Sequence, residues 1–321
     1  MNTFPTLLKR EFWEHKGGML WAPAIVGGLM ALAAGVSMLI GLYAKGSNIR
    51  INGEKIIADG TVIATQTQQE MAQGLAFAIV PSLAPLAAVL AFVVLFYALG
   101  SLYDDRKDRS VLFWKSMPVS NTATVLSKLT SMAVVAPLLT AVIGSVVGII
   151  IALLAAASMT AFGGEVLPKL LMEPDFYLAP LGVIAVIPVY ALWALPGIAW
   201  CMLVSAWAKR APFLWAVGAP VLAGILLSWQ QAMFDRNFGA DWFWEHVVGR
   251  LFGGFVPGLW FAFGSDASRV DSFKPTEESV MSLVVHSYTT LAAPSLWIGL
   301  IAGVVMIAAA IRLRRWREDA A

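Results

Sequence analysis

Six stretches of this 321-residue chain contain no Asp, Glu, Lys or Arg: 17–44, 71–103, 129–164, 176–208, 211–234 and 279–311. A hydrocarbon layer of ~30 Å is crossed by about 20 apolar residues as helix. Each stretch is long enough to cross once, and none comfortably makes two crossings with a turn. Backbone amides in lipid must bond to one another within the segment, so such segments are helices. Composition agrees: 13% of the residues are charged, against about 25% in a soluble domain, too few to cover a water-facing surface. The sequence predicts an all-α membrane protein, a single domain over 1–321, with spans near 20–43, 77–102, 124–156, 179–207, 212–231 and 291–312.

An even number of spans puts both termini on one side. That side would carry Lys9, Arg10, Lys16, Arg106, Lys107, Arg109, Lys115, Lys128, Lys209, Arg210, Arg312, Arg314, Arg315 and Arg317. The other side would carry Lys45, Arg50, Lys55, Lys169, Arg236, Arg250, Arg269 and Lys274, spread over longer loops. The positive-inside rule then predicts cytoplasmic termini. A further apolar run, "LFGGFVPGLWFAFG" (251–264), is short and Gly-rich. If it crossed, the basic "RLRRWRE" would be translocated against that rule, so it is expected to dip in and return or to lie at the outer interface. The outer loop 45–70 alternates around Asn-Gly and Asp-Gly, which fits a small hairpin or an irregular loop equally well. The N-terminal segment has no short apolar core followed by a small-residue cleavage site, so the first span is expected to direct insertion.

Absences narrow the function. The span interiors hold no Asp, Glu, Lys, Arg or Asn, whereas ion-coupled transporters use intramembrane carboxylates or His to carry the coupling ion. The three His (15, 246, 286) are scattered and no HExxH is present, so an intramembrane hydrolase has nothing to work with. No GxxxxGK[ST] occurs; energy-driven work would draw on another polypeptide. The single Cys201 excludes an intramolecular disulfide and reads as a small packing residue.

Between the second and third spans stands "YDDRKDRSVLFWKSMPVSNT", residues 103–122. Seven charges lie within its first thirteen residues, Asp104, Asp105, Arg106, Lys107, Asp108, Arg109 and Lys115. "SVLFWKSM" predicts a helix of about two turns, capped by Ser110 and ended by Pro118. Val111, Trp114 and Met117 then share a face by i, i+3 spacing. Phe113 and Trp114 beside arginines suit the centre of a protein interface. They also suit a helix lying on lipid headgroups with Trp as anchor, and both readings stand at this point.

The order Asp105-Arg106, Asp108-Arg109-Ser110, Val111-Leu112, Ser116-Met117-Pro118-Val119-Ser120 and then Lys128 resembles the permease (transmembrane) subunits of the ABC-2 type transporter family. So do "LLKREFWEHKGG" ahead of the first span, the six-span layout and the apolar stretch before the last span. The sequence-specific part covers about 3–18 and 104–128. The resemblance implies a permease paired with a second copy or a paralogous permease and with two copies of a cytoplasmic ABC ATPase. This chain would hydrolyse nothing itself and bind no cofactor, ATP and Mg belonging to the partner. It implies a bacterial plasma (inner) membrane and no nucleic acid partner. It makes 104–122 the coupling segment, with Asp105, Arg106, Asp108, Arg109, Phe113, Trp114, Met117 and Pro118 facing the ATPase.

The same resemblance makes 3–16 an N-terminal amphipathic helix. Phe4, Leu7, Leu8 and Phe12 form its apolar stripe, Pro5 sits in its first turn, and Gly17-Gly18 are expected to stop it. Lys9, Arg10 and Lys16 lie off the stripe, while Glu11 and His15 intrude on it. Glu11 either lies on a plain surface anchor or meets a basic residue of the coupling segment or of the ATPase. Residues 241–264 look like the family's two short helices folded back into the outer leaflet, with Gly253, Gly254 and Pro257 turning a gate; an interfacial aromatic belt is the other reading. Prolines 81, 85, 188 and 196 read as hinges or static kinks. Hydroxyls at Ser37, Thr140, Ser145, Ser158, Tyr190 and Ser228 and the Gln230-Gln231 pair would line an otherwise apolar path. An exporter of an amphipathic or hydrophobic cargo is therefore expected. The alternative is the membrane subunit of an antimicrobial-peptide sensing or immunity complex.

Overall fold

The computed structural model describes residues 3–43, 49–51, 54–56, 65–107, 120–161, 164–234, 239–263 and 279–318. Among these, six helices are long and apolar enough to cross a membrane: Phe4–Tyr43, Thr67–Lys107, Asn121–Ala161, Pro174–Trp207, Pro212–Phe234 and Pro294–Trp316. They are called spans 1 to 6 below. The chain is thus a helical protein of multi-pass membrane type, as its charge-free stretches require. Within 45–70 a short antiparallel pair forms, β1 (Ile49–Ile51) on β2 (Glu54–Ile56), with Arg50 opposite Lys55.

Span 4 is the hub. It packs most extensively against span 6 and also against span 2, while span 1 lies along span 3. Tyr190, Trp193, Ile198, Cys201 and Met202 of span 4 are fully buried among Leu90 and Val94 of span 2, Met132 of span 3 and Ile307 of span 6. Cys201 is buried and unpaired, as expected of a packing residue. A second cluster joins Phe77 and Ile79 to Val166, Leu170, Phe176 and Val280. Span 1 turns Leu29, Leu32, Val36, Leu39 and Ile40 outward, the surface expected where lipid is the solvent.

One expectation needs correction. Gly17-Gly18 do not stop the N-terminal helix. Thr3–Lys16 passes through a single wide turn, Gly17–Trp21 with i→i+5 bonding, into Ala22–Tyr43, and the backbone departs from helical values at His15 instead. Breaking the ladder beside an apolar layer would strand amides with no water to take them up, and a π turn keeps them paired. The charge-free stretch 279–311 holds a short helix ahead of the span expected near 291–312. A helix at Val280–Thr289 continues as a 3₁₀ turn over Thr290–Ala292, and Pro294 then opens span 6 as a separate helix.

Candidate functional site

At one end of the bundle four oppositely charged side chains from different elements meet. Glu11 belongs to the N-terminal helix, with Leu7 one turn before it also buried. Asp105 lies on the short helix Tyr103–Lys107 that ends span 2. Lys128 lies two turns into span 3, whose helix opens with Ser120 Oγ accepting from the Ala123 amide at 3.1 Å. Arg314 lies in the last turns of span 6. Lys128 Nζ is 3.2 Å from the Glu11 carboxylate and 3.5 Å from Asp105, and Asp105 is 3.2 Å from Arg314 Nη1. Tyr97 of span 2 donates its hydroxyl to Glu11 Oε2 at 2.5 Å. His15 lies against the Tyr97 ring, with centroids 4.2 Å apart.

Burial sets the energetics. Glu11 is 1% exposed, Lys128 3% and Arg314 7%, and the Asp105 side chain 16%. Charges so placed are retained only if paired and hydrogen-bonded. Two acids and two bases sum to zero, so the cluster is neutral as a unit, but any single loss leaves a buried charge. Beside it, Arg106 donates to the carbonyls of Ser205 and of Ala208 (3.0 Å), at the end of span 4. A cation at the carbonyl end of a helix is favourable. Ser205 Oγ in turn accepts the Leu102 and Tyr103 amides at 3.0 and 2.9 Å. The end of span 2 is thereby fastened to span 4.

The chain leaves this cluster at Lys107 and re-enters span 3 beside Ser120. Of the coupling residues read from the sequence, Asp108, Arg109, Phe113, Trp114, Met117 and Pro118 lie outside the described residues. Asp105 and Arg106 face the bundle. Glu11 meets a basic residue, and that residue is Lys128, just beyond the 104–122 segment. Arg10 forms a surface pair with Glu14 at 2.6 Å, and Lys9 is exposed. Glu11, Glu14 and His15 bring ligand atoms within 4.8 Å of one another. Lys128 already neutralises Glu11 and Arg10 neutralises Glu14, so this triad lacks the free anionic charge that holds a cation.

The 239–263 element is helical over Ala240–Gly253, with a π turn at Trp244–Gly249, and turns before a last helical piece at Trp260–Phe263. The turn follows Gly253, as read from the sequence, but its left-handed residue is Gly258 (φ 91°). Gly254 is buried, its α-carbon set close to the Trp193 carbonyl. Pro257 and Gly258 line an apolar cavity of about 250 Å³ with Pro81, Thr140, Tyr190 and Trp260. The two hydroxyls there are already used, Thr140 bonding the Ala136 carbonyl at 3.0 Å and Tyr190 that of Phe255 at 3.3 Å. Among the other expected path groups, Ser37 and Ser158 bond their own helix, and Gln231 accepts the Ala240 amide. Ser228 accepts from Trp244 Nε1 at 2.9 Å, tying the element to span 5.

Arg250, counted from its sequence position with the outer loop, is buried between spans 4 and 6, at the N-terminal end of span 6. Its guanidinium lies 5.0 Å from the Trp193 ring centroid and donates to the carbonyls of Ser295 and of Leu296 (3.2 Å). A Cβ at Gly299 would occupy the guanidinium's place. Tyr97 and Arg314 were likewise not singled out. Tyr97 is one aromatic among many in an apolar run, and Arg314 one of four arginines in "RLRRWR", so neither carries a local signal. No protein-family model, curated protein or solved structure matches the chain.

Proposed function

We propose that this chain is the permease subunit of an ABC-2 type exporter, a multi-pass protein of a bacterial plasma membrane with both termini in the cytoplasm. It works with two copies of a cytoplasmic ATPase that bind ATP and Mg, and with a second permease. The reading rests on the resemblance in 3–18 and 104–128, and one structural observation carries it further. The segment that the resemblance assigns to the ATPase leaves from and returns to a buried, charge-neutral cluster joining the N-terminal helix with spans 2, 3 and 6. A push on 108–119 therefore reaches the ends of four elements at once, and Arg106 passes it to span 4. Packed elements joined in this way shift as rigid bodies. The spans' lack of interior carboxylates and the apolar cavity under Pro257 and Gly258 suit an amphipathic or hydrophobic cargo.

The test is purification of the tagged chain from native membranes in mild detergent. A second polypeptide carrying GxxxxGK[ST] is expected to remain bound through two affinity steps. Its ATP turnover is expected to change severalfold when the permease carries Glu11→Gln. If no such ATPase accompanies the chain, or if its turnover ignores the cluster, the exporter reading fails.

A further inference from the structure

The last turns of span 6 divide their arginines between two faces. Arg314 points inward to Asp105. At 100° per residue, Arg315, Ala308, Arg312 and Trp316 lie about 100–200° around the helix from Arg314, with Ile311 at its edge about 60° away. With Asn121 and Thr122 of span 3 they line a pocket of about 700 Å³ that opens at the surface. Arg312 and Arg315 are exposed, and neither forms an ion pair among the described residues. The Arg312 guanidinium lies 5.3 Å from the Trp316 ring centroid. Among the described residues, no carboxylate lines the pocket.

Two guanidiniums one turn apart repel unless an anion lies between them. Guanidinium prefers phosphate oxygens, which it binds in a fork. About one helical turn deeper the wall becomes apolar at Ala308 and Ile311, and the exposed indole of Trp316 sits at the level of the charges, as interfacial tryptophans do. A ligand that matches this wall is anionic at one end and apolar at the other. We propose that the pocket binds an anionic phospholipid, its phosphate between Arg312 and Arg315 and an acyl chain along Ala308 and Ile311. Asn121 and Thr122 supply hydrogen-bonding groups from the facing wall. A free phosphate would satisfy the arginines but has no use for the apolar floor. The bound lipid would join span 6 to span 3, the two spans that also carry Arg314 and Lys128 of the ion cluster. Basic pockets between helices at this level are the usual seats of acidic headgroups. The proposal needs only a membrane and stands apart from the exporter reading.

The test uses the full-length chain, delipidated in detergent and titrated with phosphatidylglycerol or phosphatidylcholine under native mass spectrometry. Phosphatidylglycerol is expected to bind at least tenfold more tightly. Arg312→Gln with Arg315→Gln is expected to erase that preference, a change of roughly thirtyfold for two cations, while phosphatidylcholine occupancy and thermal stability stay as they were. Arg312→Lys with Arg315→Lys should keep most of it. Ten-millimolar inorganic phosphate should leave the bound lipid in place. Equal occupancy by both lipids, or a double Gln variant that retains the preference, overturns the site. Displacement of the lipid by inorganic phosphate overturns the choice of lipid in favour of a soluble anion. Loss of a bound protein partner from the Gln variant, with lipid preference intact, reassigns the pocket to that partner.

Discussion

At the scale of single residues, the cluster makes an asymmetric prediction. Glu11→Gln leaves Lys128 short of its nearer carboxylate in a site 3% exposed, and breaking a buried pair costs about 3–5 kcal/mol. Glu11→Met with Lys128→Met removes one charge of each sign and leaves Asp105 with Arg314, so most of the loss should return. Denaturation midpoints in detergent for Glu11→Met, Lys128→Met and the double form the cycle; additive losses would show that the pair is not a unit. Arg250 supports a second cycle. Gly299→Ala puts a methyl group where the guanidinium lies and should cost about 1–3 kcal/mol as overpacking. In an Arg250→Ala background that space is open, and the same change should cost under about 0.5 kcal/mol. A cost that persists without Arg250 would place the strain elsewhere. Neither pairing was legible in the sequence. Glu11 and Lys128 stand 117 residues apart, and which charges meet is decided by where helices cross. The burial of Arg250 was not legible either, because nothing in its neighbours signals the helix carbonyls and the indole that solvate it.

At the scale of elements, the N-terminal helix and the six spans were legible because the signals are local: an apolar stripe, and runs without charge of known length. The passage at Gly17-Gly18 was not, because glycine reads as a stop in water and as a wide turn where amides must stay paired. Residues 104–122, read from the sequence as a coupling segment, supply the prediction at this scale. If 110–117 is a plug for an ATPase, a few side chains carry the contact, and truncating one central aromatic costs 2 kcal/mol or more, roughly thirtyfold in affinity. Trp114→Ala or Phe113→Ala should then leave the chain inserted but weaken ATPase capture by that factor. Arg109→Glu should do likewise, with an effect that shrinks at high salt. A helix lying on lipid depends on summed area, and single truncations would leave capture unchanged. Wild-type capture in both aromatic variants would remove the segment's assignment.

At the scale of the whole molecule, the ion cluster places the N-terminal helix and the end of span 6 at the same end of the bundle, as six crossings require. The positive-inside rule predicts that this end faces the cytoplasm. In a Cys201→Ala background, a cysteine at 59 should react with an impermeant thiol reagent on intact cells and one at 319 should not; the reverse pattern would invert the topology. The cluster also sets a timetable for the newly made chain. Glu11 leaves the ribosome 117 residues ahead of Lys128, and Asp105 209 residues ahead of Arg314. At about 5–20 residues per second, the first carboxylate waits roughly 6–23 s for its ammonium and the second roughly 10–40 s for its guanidinium. Until Lys128 emerges Glu11 has no cation to be buried with, so the N-terminal helix must rest where water or headgroups can reach it, and until Arg314 emerges the two carboxylates share one ammonium. Closure of this end of the bundle becomes a late step of biosynthesis, completed only when the last helix has been made.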